Sequence, residues 1–284
     1  MQLLNDFAAI GHGIAALAPE DVHILQAGAV QAGAARAVLG AGTGLGVGFL
    51  FPCGEDEIVV PSEGGNVDFS PGTEMEIELL RFLRQRYGQV CVERVVSGPG
   101  LANIYAFVCE YEQHQPVLLE SADPPAAIAE AAQSNTDIAA CHALAMFVRA
   151  YGAFAGDLAL LSLSHGGVYI AGGIAAKLAT QMAQGGFIAG AVVWQAPHLA
   201  RLLTLGFFQW RAATSLCSDL NRRVSVMRSN GLSDNSCFPV SAFFSRNAVI
   251  SWTDAASRLA SLPKCLASPD MIARHDSAGS RPGG

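Results

Sequence analysis

"VLGAGTGLGVGF", Val38 to Phe49, has the composition of a phosphate-binding loop, and the fold turns on which kind of loop it is. It contains no Gly-Lys-Ser/Thr, which excludes a Walker A loop. After Gly42 and Gly44, the dinucleotide fingerprint calls for a third glycine at position 47, which is Val47. Residues suited to strands follow the glycines, where both of those loops would open a helix. The stretch 35–54 therefore reads as strand, Gly-rich turn, strand. Such a hairpin can aim backbone N–H groups at a phosphate, with the Thr43 hydroxyl as a further donor. It reads equally as a plain tight turn in which glycine supplies positive φ.

The neighbouring segments complete an α/β pattern. "GEDEIVVPSEGGNVDFSPGT" reads as a strand and a polar loop, and "TEME" starts a helix with Thr73 and Glu76 at capping-box spacing. Ile77, Leu80, Leu83 and Tyr87 recur there at helical intervals, opposite Arg81, Arg84 and Gln85. "VCVERVVSGPGLANIYAFVCEY" reads as strand, turn and helix, with Pro99 in the first helical turn. Helices over 124–133 and 137–163 follow, then "GGVYIAGGIAAKLATQM" as core strand, Gly-Gly turn and helix. Residues 158–176 lack charge, but His165 and paired glycines interrupt them, which predicts a buried helix and a core strand instead of a membrane span.

Composition narrows the function classes. Half of the 284 residues are apolar and 14% are charged, a globular balance. A net charge of −7 argues against a nucleic-acid binder, which carries a basic stripe. Seven Cys at irregular spacing form neither a C-x-x-C pair nor a secreted disulfide framework, the pattern of reduced cytoplasmic thiols. There is also a seam. Residues 1–190 carry 19 acidic and 7 basic residues, whereas residues 191–284 carry 5 acidic and 10 basic, with twice as many Ser (14 against 7) and no Glu.

Several polar residues sit in apolar company. In "LLNDFAAIG", Asn5 and Asp6 stand where a helix N-cap would. "PSEGGNVDFSP" offers Glu63, Asn66 and Asp68 on a loop whose glycines let backbone approach a ligand; an ordinary turn uses the same residues. Glu93 lies among apolar strand residues beside Arg94, either half exposed or paired.

In combination, "NDF", "GTGLG", "SEGGNVDF", "ERVVSGPGL" and "GGVYIAGGI" resemble the bacterial glucokinase family of the sugar kinase, Hsp70 and actin superfamily, over about residues 1 to 189. The resemblance implies an α/β, ribonuclease-H-like fold of two lobes, with sugar and ATP meeting in the cleft. By resemblance, Asp6 is the catalytic base that takes the proton of the sugar 6-hydroxyl, and Asn5 binds the sugar. Glu63, Asn66 and Glu93 are implied as further glucose ligands. Gly42, Thr43 and Gly44 match the phosphate loop, and Gly172 with Gly173 the adenosine-side turn. ATP and Mg²⁺ are implied, as is a homodimer, without a partner in nucleic acid or membrane and without a protein metal site. Acids gathered around a neutral polyol beside a phosphate cradle lacking Lys describe the same chemistry.

Three departures qualify the resemblance. The family has His where Asn66 stands. Its first phosphate motif, Asp-x-Gly-Gly-Thr, belongs well upstream of the Asn-Asp pair, and this sequence opens at Met1. "AVVWQAPHLARLLTLGFFQWRAATSL", from Ala191, does not match its closing elements. The expectation is therefore a body over 1–190, its large lobe largely complete and its small lobe mostly missing. Residues 191–284 are expected to form a divergent tail of the kind out-of-frame translation gives. There "VSAFFSRNAVISW" is a substitute strand and "LNRRVSVMRSNGLSDNSC" is disordered. A non-catalytic remnant that binds sugar or nucleotide, or only associates with other subunits, is the alternative to an active kinase.

Overall fold

The computed structural model describes residues 6–14, 17, 21–54, 56–191 and 205–208. Asn5 and the two tail segments just named lie outside the described residues, as does all of the tail except Ala191 and one short strand.

The Gly-rich stretch forms a hairpin, as its composition predicts. Strands β2 (Arg36–Ala41) and β3 (Leu45–Cys53) pair antiparallel, with Ala41 opposite Leu45 and only Gly42, Thr43 and Gly44 in the turn. Strand β4 (Asp56–Ser62) returns along β3, with Ser62 opposite Val47. On the other side of β2 lies β5 (Val168–Ala171), which runs parallel to it. Beyond β5 come β6 (Leu205–Phe208), also parallel, and then β1 (Val22–Gln26), antiparallel to β6. The six-stranded order is β1-β6-β5-β2-β3-β4. An antiparallel meander extended by parallel crossover strands is the ribonuclease-H-like arrangement expected. β1 was not anticipated from sequence, and β6 lies beyond the charge seam yet pairs on both of its edges.

Side-chain alternation along β2 divides the core. Ala37, Leu39 and Ala41 face the main core with Leu45 and Val47, while Val38 and Leu50 face a smaller cluster with Phe7, Ile14 and Ala171. Helix α1 (Asp6–Ile14) covers the smaller face. The larger face carries α2 (Glu74–Tyr87), α3 (Gly98–Tyr111), α4 (Pro124–Gln133) and the central α5 (Ile138–Ser162). Short helices α6 (Gly173–Lys177), α7 (Ala179–Ala183) and α8 (Gly186–Ala191) follow β5. By length and composition α5 is apolar enough to cross a membrane; here it is mostly buried within the fold. Residues 158–176 are the end of α5, a turn, β5 and the start of α6.

Helices α2, α3, α4 and α5 each start at a side-chain cap. Thr73 accepts from the Glu76 amide, Ser97 from Gly100, Asp123 from Ala126 and Asp137 from Ala140. The Thr73–Glu76 box is only half made, because the Glu76 carboxylate instead accepts from the Gly72 amide (2.7 Å) and the Arg149 guanidinium (2.8 Å). The buried stripe of α2 is accordingly Glu76, Leu79 and Leu83; Leu83 is buried as predicted, whereas Ile77, Leu80 and Tyr87 are only half-buried.

Candidate active site

The carboxyl ends of β2, β4 and β5 and the start of β3 share one edge of the sheet, the side on which open α/β sheets bind ligands. The hairpin turn stands at its centre. The Gly42 amide donates to the Gly44 carbonyl (2.8 Å), and the Gly42 carbonyl accepts from the Gly98 amide at the start of α3 (2.8 Å). The Thr43 and Gly44 amides find no acceptor among the described residues, and Thr43 is exposed. These two N–H groups and the Thr43 hydroxyl are free donors at the tip. Neither Gly42 nor Gly44 has positive φ, so that part of the tight-turn expectation is corrected. A Cβ on Gly44 would lie 2.6 Å from Glu93 Oε2, so a side chain there would displace that carboxylate.

Glu93 is not in a strand, contrary to expectation. Val92–Arg94 forms a single 3-10 turn, preceded only by an isolated bridge between Asp68 and Cys91. Val92, Val95 and Val96 are buried together, the spacing of a helical turn and not of an alternating strand. The half-buried Glu93 carboxylate accepts from the Leu45 amide (2.8 Å) instead of pairing with Arg94, whose guanidinium stacks on Tyr87 at 4.5 Å. Ser97 fixes the turn by donating to the Glu93 carbonyl (2.7 Å) while capping α3.

Glu63 precedes a second 3-10 turn, Gly64–Asn66, at the end of β4. A Cβ on Gly65 would overlap the Leu45 carbonyl oxygen, and one on Gly64 would press on Val47 at 3.2 Å. The paired glycines thus let this turn lie flat on the start of β3. Glu63 and Asn66 are both exposed, and the Asn66 amide donates to Glu63 Oε2 (3.2 Å). Asp68 accepts from the Gln89 amide (2.7 Å). Leu45 is therefore common to three motifs: it ends the Gly-Thr-Gly turn, its N–H is held by Glu93, and its carbonyl backs the Glu63 turn.

Gly172 and Gly173 follow β5 on the other side of the hairpin. Gly172 has φ +90°, and a Cβ on it would sit 2.7 Å from the Ala41 carbonyl oxygen. A Cβ on Gly42 or Gly173 meets nothing within 4 Å, so both border open space. Asp6 opens α1 on the opposite face of the sheet from Glu93, its carboxylate accepting from the Phe7 amide (2.9 Å). The Phe7 ring covers the cross-strand pair Gly40–Gly46, where a Cβ on Gly46 would overlap it. Two of the glycines first read as phosphate-loop composition thus seat an aromatic ring.

Two supporting residues escaped the sequence reading. Tyr151, fully buried in α5, accepts from the Ala41 amide at the base of the hairpin (3.0 Å), and burial pushes its phenol well above its ordinary range. Arg149 pairs with Glu76 beneath the loop that leads from Asn66 to α2. Neither carries a local signal, because their partners lie far away in sequence. Two adjoining, mainly apolar grooves of about 340 and 280 Å³ run between α5 and residues 62–70, sharing Val67, Phe154 and Leu161; Asp68 borders the larger one, and neither is lined by Asp6, Glu63 or Glu93.

A family model described as Glucokinase matches residues 1–192. The glucokinase of Nostoc punctiforme is 43% identical over 204 residues, covering 66% of this chain and 60% of that protein. That of a Synechocystis species is 42% identical over 213 residues, covering 67% and 59%. The chain thus spans about 60% of the length of these relatives. A glucokinase structure from an Antarctic psychrotroph superposes with a TM-score of 0.68 at 26% identity, over 74% of this chain and 64% of that one. The Balamuthia mandrillaris glucokinase, solved in complex with glucose, shares the fold, with a TM-score of 0.62 at 21% identity over 72% and 59%. With two thirds of its length matched by the family model, this chain belongs to the glucokinase family.

Proposed function

We propose that the protein is an ATP-dependent glucokinase, transferring the γ-phosphoryl group of ATP to the 6-hydroxyl of glucose to give glucose 6-phosphate and ADP. The observation that carries this reading is the convergence at Leu45 of a hairpin with two free amides and of turns bearing Glu93 and Glu63. Glu63, Asn66 and Glu93 accept from and donate to sugar hydroxyls, with Asn5 completing the set. Asp6 takes the proton of the attacking hydroxyl, so the sugar oxygen gains phosphorus as the bond to ADP breaks. Phe7 fixes Asp6 by burying its ring between Gly40 and Gly46, next to the hairpin.

The Thr43 and Gly44 donors and the open space at Gly42 and Gly173 fit a polyphosphate and its nucleoside. The described residues hold no cluster of three or more His, Cys, Asp or Glu that could bind a metal. In this reading Mg²⁺ would enter with the nucleotide phosphates and neutralise their charge. A cytoplasmic homodimer, with residues 1–190 as the kinase body and 191–284 as a distinct tail, completes the proposal.

The test is ADP release from Mg-ATP with and without glucose, alongside Asp6→Asn. Glucose-dependent release that falls at least about 100-fold in Asp6→Asn is expected. Folded protein that binds glucose or Mg-ADP without turnover would instead favour the non-catalytic reading.

A further inference from the structure

We infer that Glu93 is a positioning residue for the phosphate hairpin as well as a sugar ligand, so that sugar and nucleotide binding are coupled through Leu45. This rests on the kinase reading above. The hairpin tip is held at two points. On one side the Gly98 amide donates to the Gly42 carbonyl (2.8 Å); on the other Glu93 Oε2 accepts from the Leu45 amide (2.8 Å). Between these points lie Thr43 and Gly44, whose amides are unspent. The missing side chain of Gly44 is what lets the carboxylate lie against the backbone, since a Cβ would come within 2.6 Å of Oε2.

The two carboxylate oxygens therefore have different duties. Oε2 is committed to the hairpin, and Oε1 accepts no hydrogen bond among the described residues, which leaves it for a sugar hydroxyl. A hydroxyl donating to Oε1 restricts the carboxylate's rotation and with it the amide that sets the hairpin tip. Binding of either ligand then lowers the ordering cost of the other, and linkage makes the effect reciprocal. Glu63 provides the contrast, because its carboxylate bonds the Asn66 amide and not the hairpin.

The experiment is calorimetric titration of Mg-ADP into the full chain without sugar, for the parent, Glu93→Ala, Glu93→Gln and Glu63→Ala. Gln retains a carbonyl oxygen for the Leu45 amide. Glu93→Ala is expected to weaken Mg-ADP about tenfold, the scale of losing one hydrogen bond, while Glu93→Gln and Glu63→Ala stay near the parent. Glucose should tighten Mg-ADP about fivefold or more in the parent and not in Glu93→Ala. Parent-like sugar-free affinity in Glu93→Ala would overturn the inference. If the parent binds neither ligand, the kinase reading fails by itself, and amide hydrogen exchange at Leu45 then decides the clamp. Protection in the parent and in Glu93→Gln but not in Glu93→Ala upholds it; equal protection in all three refutes it.

Discussion

Gly46 shows how single residues shape this site, because its role is to be absent as a side chain. Its place beneath the Phe7 ring lets α1, which Asp6 opens, dock on the sheet. Gly46→Ala should cost about 1–3 kcal/mol by forcing the ring aside, and Phe7→Ala about 3–5 kcal/mol by emptying its seat. The double variant should be less destabilised than the two costs added, since the added methyl then meets a cavity. Urea unfolding of all four proteins checks this, and simple additivity would show that ring and glycine do not touch. The alternation of glycines made a hairpin legible in the sequence. That Gly40 and Gly46 seat a ring was not, because only the fold brings Phe7 to them. The same limit applies to Glu93: its flanking valines have strand propensity, which reflects fit to a pleated surface and yields to packing.

At the scale of elements, the helices were the readable part. Thr73 starts α2 and Pro99 stands in the first turn of α3 as their local chemistry predicts, and the structure adds Ser97, Asp123 and Asp137 as the caps of α3, α4 and α5. The short strands β1 and β6 carry little signal of their own and exist by pairing with each other and with β5. Long-range ties between elements are equally silent in sequence. The Glu76–Arg149 pair joins α2 to α5, with Glu76 only 2% exposed. Arg149→Ala strands that carboxylate and should cost about 3–5 kcal/mol, whereas Glu76→Gln with Arg149→Met should recover much of the loss. Thermal and urea unfolding distinguish this from a surface pair, for which both changes would be within about 1 kcal/mol.

For the molecule as a whole, the strand order decides where chemistry can happen. A meander followed by parallel crossovers puts the ends of β2, β4 and β5 at one edge, and residues from four separate stretches of sequence meet there. Composition and motif order made the family and its α/β sheet legible. The shared dependence of both subsites on Leu45 became visible only in three dimensions, because its contacts reach Gly65 and Glu93, far along the chain. The most direct test of this arrangement is amide chemical-shift mapping of the full chain with glucose and with Mg-ADP. The account predicts that glucose moves Gly64–Asn66 and Leu45, that Mg-ADP moves Thr43, Gly44 and Gly172, and that Leu45 responds to both. Shifts confined to the apolar groove along Phe154 and Leu161, with the hairpin unmoved by either ligand, would contradict it.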